Sequence, residues 1–458
     1  MLSKSRFDSG FRFGKRQPVN TLGGAGDFAN APGVGEPFFA LQSIRDSETD
    51  ATRRAGWMEA HVAMGESARE VSRAAPPIPD GVPLLVFADD WGRHPSSCQH
   101  LVGRLLGRHS TTWVNTIGTR KPRFDLDTLR RGVEKLSHWF RRSNSAKTPL
   151  PANLRVLNPR MFPSFDSRFA RWLNRKLLTS SISAAIAEFD SAPIVVTTIP
   201  LVADLVGALP VRRWVYYCVD DFSLWPGLDG GTLRQMETEL VRRVDVTIAV
   251  SETLQNRLAS MGRSAHLLTH GVDMDFWSAS PADTKLPALD GLERPLIVFW
   301  GVVDRRMDSA FLSTLSARMQ RGTIILTGPQ ADPDPALSSV ARIVRTGPLP
   351  FESLPALATE AAVLIMPYAD LPVTRAIQPL KLKEYLATGK PVVGRDLPAT
   401  RPWHDCLDLV DTPDEFASAV ERRLVDGVPD SQRLARRRLV DEGWDAKAQA
   451  FEHWLCDA

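Results

Sequence analysis

Residues 361–393 read AAVLIMPYADLPVTRAIQPLKLKEYLATGKPVV, and they hold one complete unit of the fold. The run AAVLIMPYA is apolar along its whole length and strand-sized, so the strand it predicts is covered on both faces. A loop follows, LPVTRAIQ. PLKLKEYLATG then reads as a helix, with Pro379 suited to its first turn and Gly389 to its C-terminal end. KPVV opens the next strand. A strand, a helix and a second strand in that order form a crossover, which joins parallel strands.

The same unit recurs on both sides. Upstream, PLLVFADD, STTWVNTIG, LRVLNP, PIVVTTIP, RWVYYCVDD, VDVTIAVS and SAHLLTHG alternate with stretches such as SCQHLVGRLLGRH and GGTLRQMETELVRR, whose apolar residues have helical spacing. After a loop at 278–294 a second series begins: PLIVFWGVV, RGTIILTGP, ARIVRTGPL, AAVLIMPYA, KPVVGRDLP and CLDLVDTP. The expected architecture is α/β, with two Rossmann-like doubly wound domains facing across a cleft. Residues 81–285 form the first domain, 286–445 the second, and 446–458 a closing helix. Ligands in such sheets bind beyond the carboxyl ends of the strands, so the cleft is the expected site. Residues 1–80 (TLGGAGDFANAPGVGEP is typical) lack a sustained apolar period. They read as a flexible N-terminal extension, or as a segment upstream of a start at Met58 or Met64.

The chain has 458 residues, 43 % hydrophobic and 24 % charged, values of ordinary globular domains. Its four cysteines, Cys98, Cys218, Cys406 and Cys456, are far apart, which excludes a disulfide scaffold and a CxxC zinc or redox site. The apolar runs are too short to cross a membrane, and no apolar stretch follows the basic residues near the N-terminus. A cytoplasmic protein is expected. The net charge of +3 conceals a segregation: residues 101–176 carry 17 basic and 4 acidic side chains. Within them Phe124 to Arg142 places Leu126, Leu129, Val133 and Leu136 at helical spacing, flanked by arginines and lysines. That pattern suits the surface of an anionic membrane, or equally a core-facing helix with solvated arginines. No RNA-binding module accompanies it, so no nucleic-acid partner is expected.

Candidate chemistry lies at loops that leave strands. The helix that follows Pro379 and Leu380 would present its first-turn amides to the cleft as an anion site, with Lys381 beside them. Glu384 is on the same face three residues later. A cation for a diphosphate and a carboxylate for ribose hydroxyls would grip a nucleotide sugar. The plainer alternative is an amphipathic helix with solvated Lys and Glu. Gly301 permits close backbone approach, and Arg305 and Arg306 could bind phosphate or be surface residues opposed by Asp304 and Asp308. In the first domain Trp91 offers a flat face for a sugar ring, with Arg93 and His94 available to its phosphate or hydroxyls. Asp220 and Asp221 form an acidic pair at a strand end. No HxxxH or HExxH spacing occurs and no metal site is expected.

WGVVDRRMD at 300–308, GPLPFESLP at 347–355 and PLKLKEYLATGKPVV at 379–393 together resemble the donor-binding half of GT-B glycosyltransferases, within the group that includes family 4. HGVDMDFW at 270–277 is similar to the "(N/H)GVD" segment of that group. The resemblance covers roughly residues 82–450. It implies a glycosyltransferase of cell-surface polysaccharide synthesis, retaining and metal-independent, with a nucleotide sugar as co-substrate and no other cofactor. It implies a glycan or lipid-linked acceptor, and such an acceptor together with the basic 101–176 stretch would suit a cytoplasmic enzyme that can also sit peripherally on the inner face of the membrane. Arg305 and Lys381 would hold the donor diphosphate and stabilise its departure. Glu384 would hold the ribose, and the loop of Gly347, Pro348 and Leu349 the nucleobase. Trp91, Arg93 and His94 would meet the acceptor. Two features depart from the group: Ala376 stands where a first glutamate is usual, and TTIPLVADL lacks a histidine. An epimerase or hydrolase of the same fold, or a non-catalytic binding protein, are the alternatives.

Overall fold

The computed structural model of the chain describes residues 81–92, 95–115, 150–225, 227–279 and 284–456. The proposed N-terminal extension, the basic helix at 124–142, Arg93 and His94 lie outside the described residues. Residues from Pro76 to Ala458 belong to one compact unit that contains both sheets.

The first seven apolar runs are the strands β1 (Leu84–Ala88), β2 (Thr111–Asn115), β3 (Leu154–Leu157), β4 (Ile194–Thr197), β5 (Arg213–Cys218), β6 (Val246–Ala249) and β7 (His266–Leu267). They form one sheet in the order β3-β2-β1-β4-β5-β6-β7, and every pairing is parallel. Four helices among the described residues accompany it, α1 (Ser97–Leu105), α2 (Arg168–Ile186), α3 (Gly230–Val241) and α4 (Glu252–Ser260), and α5 (Met274–Ser278) follows β7 with its Trp277 in the core of the second sheet. Each begins after a Ser or Asp whose side chain accepts from an amide of the first turn: Ser96, Ser167, Asp229, Ser251 and Asp273. These residues satisfy amides that the helix itself leaves without a partner.

The second sheet contains β8 (Leu296–Trp300), β10 (Thr323–Thr327), β12 (Ile343–Gly347), β13 (Val363–Met366), β14 (Val392–Arg395) and β15 (Asp408–Val410). Its order is β12-β10-β8-β13-β14-β15, again all parallel. Two short strands, β9 (Val303–Asp304) and β11 (Gln330–Ala331), pair with each other just beyond the carboxyl ends of β8 and β10. Around the sheet lie α6 (Ser309–Arg318), α7 (Leu354–Glu360), α8 (Pro372–Ala376), α9 (Leu380–Ala387) and α10 (Pro413–Asp426). Two further helices, α11 (Asp430–Ala435) and α12 (Trp444–Cys456), complete the chain. Leu84 to Ala88 and Leu296 to Phe299 are fully buried, as central strands covered on both faces require.

The chain does not end in its second domain. Trp444, Ala448, Phe451 and Leu455 of α12 belong to the core of the first sheet. Arg104 meets Asp445 at 2.7 Å, His109 Nε2 lies 2.9 Å from Glu452, and Trp454 stacks on His266. The amphipathic pattern of this helix was plain in the sequence, but the core it covers was not. The HGVD segment lies against its start: the Val272 amide donates to the Glu442 carbonyl just before the helix, and the His270 ring lies 6.4 Å from that of Trp444, which also stacks on His100 of α1 at 4.6 Å.

Candidate functional site

The carboxyl ends of β8, β10 and β12 lead into Gly301, Gly328 and Gly347, and α9 comes in beside them. Gly301 has φ +139°, and a Cβ there would stand 2.5 Å from Lys381 Nζ. A Cβ on Gly328 would collide with the Gly301 carbonyl. The bare backbone thus admits the lysine ammonium to the strand end. Lys381 Nζ donates to the Tyr368 hydroxyl at 2.6 Å and lies 5.0 Å from the centre of the Phe299 ring. Aromatic faces hold the cation without neutralising it, which leaves its charge for a ligand.

Glu384 stands one turn further along α9 and accepts a 3.4 Å bond from Trp300 Nε1. Trp300 is fixed in turn by its own amide, which donates to Tyr385 Oη at 2.9 Å, and by its stack on Trp277. Burial pushes the Glu384 carboxyl up to about 7, against the opposing pull of Trp300 and Lys381. Gly301, Lys381 and Glu384 therefore lie together at this strand end. Pro379 is the N-cap of α9, one residue before the first turn the sequence suggested. Leu380 packs on the first core and Leu382 lies in the second, so α9 is seated between the two layers. Leu349 is half-buried against the second core, beside the Gly347 turn.

The two arginines separate. Arg305, expected at the diphosphate, is 53 % exposed and paired to Asp332 at 2.9 Å. Arg306 is only 8 % exposed; Asp304 binds it at 2.8 Å, and its guanidinium lies 4.5 Å from the ring centre of Trp225 in the first domain. Adjacent residues on a turn point opposite ways, and sequence alone does not say which faces the cleft.

On the first domain's side, Trp91 meets Trp113 edge to face at 4.9 Å, and its amide donates to Asn115 Oδ1 at 3.0 Å. The ring is half-buried and orders its own loop, the packing role that competes with a sugar platform. Asp220 and Asp221 divide their work. Asp221 binds Arg257 at 2.8 Å and accepts from the Ser223 amide at 3.0 Å, a structural role. Burial raises Asp220 to about 7, opposed by Arg306 and reinforced by Asp221. Among the described residues, no group of three or more His, Cys, Asp and Glu could hold a metal ion.

One network escaped the sequence reading. Lys383, two residues from Lys381 and so on another side of α9, is buried and meets Glu442 at 2.5 Å and Thr269 Oγ1 at 3.3 Å. It also donates to the His270 carbonyl. Burial lowers the ammonium to about 8 despite Glu442. A cavity of about 500 Å³ opens beside it, lined by residues of both domains including Ser251, Gln378 and Trp403. The Lys-x-Lys spacing was the available signal: a helix cannot present both lysines to one ligand.

No family model matches the chain. Among curated proteins it is 26 % identical over 220 residues to TuaH of Bacillus subtilis (strain 168), whose name assigns it to teichuronic acid biosynthesis as a glycosyltransferase. The match takes in 45 % of this chain and 55 % of that protein, so the chain spans about half the length of the relative. Solved structures agree over much more of the chain. Sucrose-phosphate synthase from Thermosynechococcus elongatus superposes with TM-score 0.60 at 15 % identity, covering 81 % of this chain and 98 % of that one. Anabaena HepE, in complex with UDP and glucose, gives 0.57 at 14 %, covering 82 % and 100 %. A UDP-forming α,α-trehalose-phosphate synthase from Burkholderia xenovorans gives 0.56 at 12 %, covering 82 % and 99 %. Two all-parallel sheets flanked by helices are the fold of the GT-B glycosyltransferases, and this chain has that fold.

Proposed function

We propose that the protein transfers a sugar from a nucleoside-diphosphate sugar to a glycan or lipid-linked acceptor, in the synthesis of a surface polysaccharide. The observation that carries this reading is the cluster of Gly301, Lys381 and Glu384 at the carboxyl edge of the second sheet. In the reaction the anomeric carbon bonds to the acceptor oxygen, its bond to the diphosphate breaks, and the proton of the acceptor hydroxyl passes to the departing diphosphate oxygen. Negative charge then grows on the departing diphosphate, where the Lys381 ammonium and the first-turn amides of α9 meet it. Arg305 is the second cation of this reading and would leave Asp332 to meet the diphosphate, while Arg306 is held by Asp304. Glu384 accepts from the ribose hydroxyls, and Leu349 lies against the base. The acceptor enters over Trp91, with Arg93 and His94.

The family resemblance adds retention at the anomeric carbon and independence of a metal. The nucleotide sugar is the sole co-substrate in this reading. UDP is the first nucleotide to try, since HepE was solved with UDP and the trehalose-phosphate synthase is UDP-forming. Contact with an anionic membrane, in which the basic 101–176 stretch takes part, would bring the enzyme to a lipid-linked acceptor. No described helix is long and apolar enough to cross a membrane.

The test is a screen of UDP- and GDP-sugars against lipid-phosphate and oligosaccharide acceptors, with products identified by mass and anomeric configuration. Glycosylated acceptor is expected, and Lys381→Ala should reduce its rate by about 10²-fold. Free sugar from donor alone would identify a hydrolase instead. No calorimetric heat with any donor would favour a binding protein.

A further inference from the structure

The helix α2 has two unlike faces. Ala170, Asn174, Leu178, Ile182, Ala185 and Ile186 are buried. Arg168, Phe169, Trp172, Arg175 and Lys176 are all exposed, at spacings of one, four, seven and eight residues from Arg168, which is one side of a helix. Phe169 is 65 % and Trp172 54 % exposed, and their rings stack with centres 5.9 Å apart. Asn174 pins the preceding loop alongside by accepting from the Phe162 amide and donating to the Ser164 carbonyl, and Phe162 too is 40 % exposed. Large aromatics left in water on one surface mark a contact with something else.

The cations of this face point the same way. Arg171, on the flank, is paired to Asp204 at 2.7 Å and also to Glu239. Arg168, Arg175 and Lys176 have no carboxylate within 4 Å among the described residues.

We infer that the outward face of α2 docks the protein on an anionic lipid bilayer, with Phe169 and Trp172 seated among the headgroups and Arg168, Arg175 and Lys176 on their phosphates. Aromatic rings belong at that depth, and unpaired cations flanking them match a negative surface. A protein partner would instead require a patch whose centre is depleted of charge, and here cations alternate with the rings. A nucleic acid would require a groove, and a single helix lying on a surface is convex. This deepens the lipid-linked acceptor reading and rests on it only for the benefit that docking brings.

The test is flotation of the full chain with vesicles of phosphatidylcholine alone or mixed with phosphatidylglycerol. Wild type should float only with the anionic vesicles and lose binding in high salt. F169S/W172S and R168E/R175E/K176E should each lower binding by about tenfold or more. Melting temperature and the heat of UDP binding, measured on the same preparations, should stay at wild-type values. Unchanged flotation of both variants, or equal binding to neutral vesicles, would overturn the inference. So would a dimer in lipid-free solution that the same substitutions dissolve, because the face would then belong to a second copy. Absence of UDP heat with flotation intact would count against the enzymatic reading and leave this one standing.

Discussion

Lys381 reaches the strand end because Gly301 leaves room for it: the missing Cβ would stand 2.5 Å from the ammonium nitrogen. Two residues eighty positions apart thus create one feature, a cation held at the carboxyl edge of a parallel sheet. Gly301→Ala should displace Lys381 and strain a backbone at φ +139°. Expected are a loss of about 1–3 kcal/mol in urea unfolding and at least tenfold weaker UDP binding by calorimetry. Lys381→Ala should weaken binding without the stability loss, which separates the two effects.

Glu384 should make nucleotide binding depend on pH. Its carboxyl is pushed up to about 7 by burial, and the ionised form is the better acceptor for ribose hydroxyls. UDP affinity should therefore rise by roughly tenfold between pH 6 and pH 8, as the fraction ionised grows. Stability follows the opposite course. The folded state retains a proton that the unfolded chain releases above its ordinary value of 4.5, so this group's contribution to stability falls as pH rises from there to about 7. Glu384→Gln should flatten both profiles; a wild-type pH dependence in that variant would remove Glu384 from the site.

Arg305 and Arg306 should behave differently. Arg305→Ala removes the second cation of the diphosphate site and should lower kcat/KM by about tenfold or more, while its exposed pair with Asp332 contributes little to stability. Arg306→Ala removes a buried guanidinium that Asp304 holds over Trp225 and should lower stability in urea unfolding, with the smaller effect on kcat/KM. The reverse ranking in steady-state kinetics would remove Arg305 from the diphosphate.

The seat of the closing helix can be tested through Gly271, where a Cβ would stand 2.6 Å from the Trp444 ring. Gly271→Ala should destabilise the protein by about 1–3 kcal/mol through overpacking. Trp444→Ala, which empties a buried position in the first core, should cost about 3–5 kcal/mol. The double variant should lose less than the sum, because the clash and its partner go together. Additive urea-unfolding losses would mean that the two do not meet.

The amino-acid order alone determined the two sheets. Continuous apolar runs such as LLVFA and LIVFW can be satisfied only by burial on both faces, and the helical stretches between them force parallel crossovers. Gly301, Lys381 and Glu384 were legible for the same local reason: a strand end, a first turn and the next turn follow from periodicity. Only the tertiary structure decided which of two adjacent arginines turns inward, because a turn sends consecutive side chains to different sides and their partners, Asp332 and Asp304, are fixed by strand pairing. It also decided that Lys383 serves the domain junction through Glu442, and that α12 returns to the first sheet. An amphipathic pattern shows that a face must be covered, but the surface that covers it depends on where the whole chain has gone.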